Sequence, residues 1–164
     1  MPKVLIADKL SAKAARVFAE RGVEAVVKTD LDGQGLTAAL ADCDGLAVRS
    51  STKVTAAVLA AAPRLKVVGR AGIGVDNIDV GAATERGVVV MNTPYGNSVT
   101  TAEHAIALIF ALARQIPAAD RSTQAGKWEK NRFMGVELTG KTLGVIGCGN
   151  IGSIVAERAA GRWS

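Results

Sequence analysis

The chain has 164 residues, a net charge of +5, 49% apolar residues and 21% charged residues. This length allows one domain, or a domain and part of another, and the apolar content favours a buried core over global disorder. We expect a cytoplasmic protein without a membrane partner, because no apolar run approaches the roughly 18 residues of a membrane span and the first residues do not resemble a secretion signal. Scattered basic residues and only 4% aromatic residues argue against a nucleic-acid partner.

Short apolar runs alternate with helical segments in the first 91 residues. The predicted strands are residues 3–7, 23–27, 46–48, 65–68 and 88–91. The predicted helices run from Ser11 to Gly22 and over residues 36–41, 55–62 and 79–85. Strands that alternate with helices along a chain are typical of a parallel sheet with helices on both faces. We therefore predict an α/β fold.

A second unit is predicted to begin at residue 98, after turn residues at 95–98. Thr100 and Glu103 have the spacing of a capping box, which predicts that a long apolar helix starts there. Pro117 interrupts this helix or begins a further helical segment.

Residues 142–146 predict another strand, followed by Gly147, Gly149 and Gly152 and by a helix over residues 153–160. In this G-x-G-x-x-G spacing the first glycine allows a tight turn. The second lets a pyrophosphate approach the backbone, and the third lets helix and strand pack closely. The strand–turn–helix context predicts a dinucleotide site. The acidic residue that holds the ribose is expected about 20 residues later. Only 12 residues follow Gly152, so we expect an incomplete Rossmann domain.

Two arginines end neighbouring predicted strands. Arg49 follows the third strand, Arg70 follows the fourth, and Gly72 and Gly74 lie in the next loop. Ligands of open α/β sheets bind at the carboxyl edge of the strands. Arginine can bind a carboxylate or phosphate there, and glycine amides can converge on an anion. These residues predict a site for a small anion, and a structural turn beside two surface arginines explains them equally well.

No catalytic set can be assembled from the side chains of this sequence. His104 is the only histidine. It lies in a predicted apolar helix without an obvious acidic neighbour to orient it, which predicts a structural or interface residue. Cys43 and Cys148 lack metal-binding spacing, so we predict two buried, reduced thiols and no metal site.

Seven blocks of sequence stand out along the chain. They are residues 48–50, 67–77, 91–94, 96–98, 126–128, 133–135 and 140–144. Taken in this order, the blocks resemble the D-isomer specific 2-hydroxyacid dehydrogenases and cover nearly all of residues 3–158. The Gly-Arg-Ala-Gly, Asn-Thr-Pro and Phe-Met-Gly blocks favour the phosphoglycerate branch of that family.

The resemblance implies a flavodoxin-like substrate-binding domain over residues 1–97, followed by a linking helix and the first βα unit of a truncated Rossmann domain over residues 98–164. It implies NAD-dependent oxidation of 3-phosphoglycerate to phosphohydroxypyruvate in serine synthesis, by a homodimer or higher homo-oligomer. Contacts to this small anionic substrate are implied for Arg49, Arg70, Gly72, Gly74 and Asn97. The pyrophosphate loop of the NAD site is implied for Gly147, Gly149, Asn150, Ile151 and Gly152.

The resemblance also implies that the catalytic arginine, glutamate and histidine of the family lie beyond residue 164. His104 does not match that histidine, so we expect no catalytic residue in this chain and no dehydrogenase activity from it alone. Residues 160–164 depart from the family pattern, which favours a truncation, a frame disruption or a fragment. Ile73 replaces a small hydroxyl residue of some members, so its side chain is not expected to contact the cofactor.

Two other classes of protein stay open at this point. A dehydrogenase-like ligand-binding or regulatory module would bind partners without catalysis. A receiver-like βα domain needs a phosphate-accepting aspartate at a strand end, for which Asp8 is available. That second scheme leaves Arg70 and the glycine loop without a role.

Overall fold

The computed structural model describes residues 1–160, in two compact units that are divided between Gly96 and Asn97. The first unit is a parallel sheet covered by four helices. Its strands are β1 (Lys3–Ile6), β2 (Glu24–Val27), β3 (Gly45–Val48), β4 (Val67–Arg70) and β5 (Val89–Met91). Its helices are α1 (Ala12–Glu20), α2 (Gly33–Leu40), α3 (Ala56–Ala60) and α4 (Val80–Glu85). The predicted α/β fold is confirmed.

The strand order is β2-β1-β3-β4-β5 and every pairing is parallel. This is the flavodoxin-like order, in which the chain turns to the other side of β1 after β2. In such sheets, ligands bind beyond the carboxyl ends of the strands, at the point where the order reverses. Val48 is paired with Arg70 in the sheet, so Arg49 leaves β3 at the same edge at which Arg70 ends β4.

The central strands β1 and β3 are buried on both faces. Leu5, Leu46 and Val48 belong to the larger core, together with apolar residues of α2, α3 and α4. Val4 and Ile6 point to the opposite face, where residues of α1 cover them. Strands that are covered on both faces must be apolar throughout. Short runs of apolar residues in the sequence therefore predict these strands well.

Over residues 97–160 the second unit forms the helices α5 (Ser98–Ala113), α6 (Ile116–Gln124) and α7 (Asn150–Ala160), and a 3₁₀ turn at Lys130–Arg132. Helices α5 and α7 pack against each other. Ala102 and Ala159 are buried, and Glu103 and Arg158 form an ion pair at 2.8 Å between the two helices. None of the helices in residues 1–160 is long and apolar enough to cross a membrane.

The predicted capping box at Thr100 and Glu103 is wrong. Helix α5 begins at Ser98, and Asn97 occupies the cap position without a side-chain hydrogen bond to the helix. Ser98 and Ala102 are four residues apart and both buried, so they lie on one face of the helix.

The predicted strand at residues 142–146 is also wrong, because within residues 1–160 this segment pairs with no other strand. The side chain of Ile146 is fully exposed. A strand requires a neighbour for its backbone hydrogen bonds. The helix after the glycines does form, beginning at Asn150. The unusual sequence at its end falls mostly on residues 161–164, which lie outside the described residues.

The two cysteines differ. Cys43 is buried as predicted, whereas Cys148 is exposed in the glycine loop, so the prediction of a second buried thiol is wrong. Burial raises the pKa of the Cys43 thiol, which keeps it protonated and unreactive.

Candidate functional site

The turn after β3, residues 49–52, is held by a buried carboxylate that follows β1. Asp8 is 6% exposed. Its Oδ2 accepts hydrogen bonds from the backbone N–H of Arg49 at 2.5 Å and of Thr52 at 3.3 Å. Its Oδ1 accepts one from the Thr52 hydroxyl at 2.8 Å. Because both oxygens are engaged in this way, Asp8 is poorly placed as the phosphate acceptor that a receiver-like domain requires.

The same turn is held from its carbonyl side by Asn77, in the loop after β4. The side-chain amide of Asn77 donates to the carbonyl oxygen of Arg49 at 2.8 Å and to that of Thr52 at 2.6 Å. The N–H groups of the turn thus donate to Asp8, which follows β1. The carbonyl oxygens of the turn accept from Asn77, which follows β4.

Arg70 is enclosed by its own loop, with a side chain that is 11% exposed. Its Nε donates to the carbonyl oxygen of Arg49 at 3.3 Å, and its Nη1 donates to the carbonyl of Gly74. Its Nη2 lies 3.7 Å from a carboxylate oxygen of Asp76. The guanidinium therefore orders two neighbouring loops.

The loop glycines serve Arg70 in this arrangement. A Cβ atom at Gly72 would lie 2.9 Å from Nη1 of Arg70, and a Cβ atom at Gly74 would lie 3.5 Å from it. The N–H of Gly72 donates to the carbonyl of Arg70 at 2.9 Å. Our expectation that both glycine amides would converge on an anion is therefore not met for Gly72. Its lack of a side chain makes room for the arginine.

Arg49 differs from Arg70 because its side chain is exposed and forms no hydrogen bond or ion pair with residues 1–160. It lines a crevice of about 890 Å³ at the carboxyl ends of β1 and β3, together with Lys9 and Lys53. Within the described part of the chain, those two lysines also have no ion-pair partner. Asp8, Asp30 and Asp32 line the same crevice, so its attraction for a small anion rests on the free guanidinium of Arg49 and not on an excess of positive charge.

The loop after β5 supports the loop after β4. The side-chain amide of Asn92 donates to the carbonyl of Ile73 at 2.7 Å, and the N–H of Thr93 donates to the carbonyl of Gly72 at 3.0 Å. The structure thus brings Arg49, Arg70, Gly72 and Gly74 to one edge of the first unit. The fifth predicted substrate residue, Asn97, is exposed and belongs to the second unit.

The glycine loop at the start of α7 has a backbone geometry that requires glycine at two of its three positions. Gly147 has φ of +92°, which other residues rarely adopt. A Cβ atom at Gly152 would lie 2.0 Å from the carbonyl oxygen of Gly147, so a side chain there is excluded, while the space around Gly149 is open. Asn150 and Ile151 begin α7, and a helix N-terminus attracts phosphate.

The one histidine of the chain belongs to the second unit and not to the unit that contains the sheet. His104 is exposed on α5 and forms no ion pair with any described residue. A search of residues 1–160 finds no group of three or more His, Cys, Asp or Glu side chains able to hold a metal ion.

Sequence reasoning missed the residues that order the site, namely Asp8, Thr52, Asn77 and Asn92. The sequence could have indicated a role for Asp8, since it is a charged residue directly after an apolar strand. Asn77 lies within the block that carries the family resemblance, but only the fold shows that it reaches the turn after β3.

An open α/β sheet with cations at its carboxyl edge, followed by a glycine loop, defines a class of dinucleotide-dependent enzyme domains. The family profile described as D-isomer specific 2-hydroxyacid dehydrogenase, catalytic domain, matches residues 4–160. The chain belongs to this family.

The chain is similar to curated D-3-phosphoglycerate dehydrogenases. It is 53% identical over 156 residues to that of Archaeoglobus fulgidus, a match that covers 95% of this chain and 30% of the relative. It is 54% identical to the human enzyme, covering 95% of this chain and 29% of that enzyme. The chain therefore spans less than a third of the length of these relatives.

Solved structures show the same fold. The NAD-dependent formate dehydrogenase of Staphylococcus aureus in complex with NAD superposes with a TM-score of 0.86 and 29% identity, covering 98% of this chain and 53% of that chain. Relatives of this fold therefore include one solved with the nicotinamide cofactor NAD.

Proposed function

We propose that this chain forms the substrate-binding part of an NAD-dependent D-3-phosphoglycerate dehydrogenase, which oxidises 3-phosphoglycerate to phosphohydroxypyruvate. The observation that carries the proposal is the unpaired Arg49 beside the enclosed Arg70, at the carboxyl edge of a flavodoxin-like sheet. The high identity to phosphoglycerate dehydrogenases supports the choice of substrate.

3-Phosphoglycerate carries a phosphate and a carboxylate, and either group is opposite in charge to the guanidinium of Arg49. Arg49 is free to bind one of these groups through two parallel hydrogen bonds. Arg70 keeps the loop of Gly72 and Gly74 in place beside it.

Gly147, Gly149, Asn150, Ile151 and Gly152 would hold the pyrophosphate of NAD. When bound, NAD supplies a nicotinamide ring that accepts a hydride from the hydroxyl-bearing carbon of the substrate. The residues described here bind and orient the substrate. Since they include no plausible base for the hydroxyl proton, we propose that the 164 residues alone do not turn over substrate.

We further propose that the protein acts in the cytoplasm as a homodimer or higher homo-oligomer. Leu108 and Leu112 on α5 are 55% and 81% exposed. Apolar side chains exposed in this way favour association between copies of the chain.

Titration calorimetry with 3-phosphoglycerate tests the substrate assignment. Arg49→Ala should weaken binding by about tenfold or more, which is the range of one lost charge-assisted hydrogen bond. Arg16→Ala, which removes an exposed arginine on α1, is the matched control and should leave the affinity unchanged. D-Glycerate and glycerol 3-phosphate each lack one anionic group, so both should bind more weakly. Equal loss in the two variants, or no binding by the unaltered chain, would refute the proposal.

A further inference from the structure

We infer that Asp8 is a positioning residue for Arg49, and that it acts by holding the turn 49–52 through its buried carboxylate. The inference rests on the proposed function, because it concerns the same substrate arginine. Asp8 does not contact the substrate in this scheme. It fixes the backbone from which the Arg49 side chain leaves the sheet.

Three donors from the turn converge on Asp8. They are the N–H of Arg49 at 2.5 Å, the hydroxyl of Thr52 at 2.8 Å and the N–H of Thr52 at 3.3 Å. The residue that carries the free guanidinium is therefore itself bound by its backbone N–H to the carboxylate. Rotation of the turn about β3 would break all three bonds together.

The turn is also held on its carbonyl side, so the hydrogen bonds fix the position of the Arg49 backbone and do not merely satisfy buried polar groups. The carbonyl oxygen of Arg49 accepts hydrogen bonds from the side chains of Asn77 and Arg70. The peptide groups on both sides of the Arg49 Cα are thus held by side chains from other strand ends. A long, exposed side chain has many rotamers, so fixing its origin reduces the disorder that anion binding must remove.

A carboxylate suits this role better than an amide. All three contacts are donors, and an ionised aspartate only accepts. An asparagine at residue 8 would place an N–H₂ group against at least one of these donors and would break that contact. No lysine or arginine side chain pairs with Asp8 among residues 1–160, so the turn itself stabilises the buried charge.

The experiment measures 3-phosphoglycerate affinity and amide hydrogen exchange in Asp8→Asn and in a matched control, Asp44→Asn. Asp44 also accepts a backbone N–H, that of Lys3 at 3.0 Å, but precedes β3 at the opposite edge of the sheet. Asp8→Asn should weaken binding about fivefold, because binding must then also order the turn that carries Arg49. It should also speed exchange of the Arg49 and Thr52 amides selectively. Asp44→Asn should leave affinity within about twofold, because effects at distant sites are independent.

If Asp8→Asn does not fold, a second pair of variants tests whether Asp8 positions Arg49. Thr52→Val removes the hydroxyl that donates to Asp8 and should weaken binding, whereas Thr52→Ser keeps the hydroxyl and should bind like the unaltered chain. Equal affinities of Thr52→Val and Thr52→Ser would overturn the inference, as would equal affinities of Asp8→Asn and Asp44→Asn. In both cases binding by the unaltered chain would leave the proposed function standing. Absence of binding by the unaltered chain would overturn both.

Discussion

The side chain of Arg70 donates a hydrogen bond from Nε to the backbone carbonyl of Arg49, at 3.3 Å. One arginine thus supports the backbone of the other. Arg70 is enclosed and bonded to its own loop, while the guanidinium of Arg49 has no partner among the described residues. The two arginines therefore have different expected roles, one in ordering the site and one in binding the anion.

Lysine substitutions should separate these roles. Arg70→Lys keeps the charge but loses the planar fork, so at least one carbonyl contact is lost. We expect a stability loss of about 1–2 kcal/mol and weaker 3-phosphoglycerate binding. Arg49→Lys should leave the thermal unfolding midpoint unchanged and affect binding only. Calorimetric unfolding and ligand titration of both variants test this, and an equal loss of stability would contradict it.

Alanine at the third glycine of the loop, Gly152, should act differently from alanine at the second, Gly149. Gly152→Ala would place Cβ 2.0 Å from the carbonyl oxygen of Gly147, so the loop or the start of α7 must move. We expect lower helicity and lower stability of the second unit. Gly149→Ala has open space around it and should keep the fold while obstructing a pyrophosphate. Circular dichroism and NAD titration test the pair, and a Gly152→Ala variant that folds and binds NAD normally would contradict the account.

The ionised carboxylate of Asp44 should stabilise the fold at neutral pH, and this stabilisation should be lost in strong acid. The backbone N–H of Lys3 and the guanidinium of Arg64 lower the pKa of Asp44. A carboxyl whose pKa is lower in the folded state stabilises the fold above the ordinary aspartate pKa of about 3.9. This stabilisation is lost as the pH falls through the folded-state pKa. Asp44→Asn should therefore be less stable than the unaltered chain at pH 7, with a smaller difference near pH 2, as measured by urea unfolding at each pH. A pH-independent difference would contradict the assignment.

His104→Ala should change little, because His104 is exposed and forms no ion pair within residues 1–160. We expect a stability change within about 0.5 kcal/mol. NADH formation from 3-phosphoglycerate should be absent in both the unaltered chain and the variant. Turnover by the unaltered chain that disappears in His104→Ala would show that this histidine is catalytic after all.

The sequence predicted the first unit well because local pattern and tertiary structure agree there. Each strand of that sheet is a short apolar run, and β3 is buried along its whole length. Parallel pairing on both sides then satisfies its backbone. The positions of Arg49 and Arg70 at one edge follow from the same regularity.

The errors arise where distant residues decide the outcome. Residues 142–146 have a strand-like sequence, but no described strand lies beside them to complete a sheet. Helix α5 begins at Ser98, which is before the position that the capping pattern at Thr100 predicts. The role of Asp8 depends on donors 41 and 44 residues away in sequence, which no local pattern reveals.

The most direct test of the account is to map 3-phosphoglycerate binding onto the first unit by amide NMR. The account predicts saturable shifts at Arg49 and at the neighbouring loop of Gly72 and Gly74, and no shifts at the opposite edge near Lys3 and Asp44. These shifts should vanish in Arg49→Ala and persist in Arg16→Ala. Shifts confined to the opposite edge, or unchanged by loss of the Arg49 guanidinium, would show that the carboxyl edge of this sheet is not the substrate site.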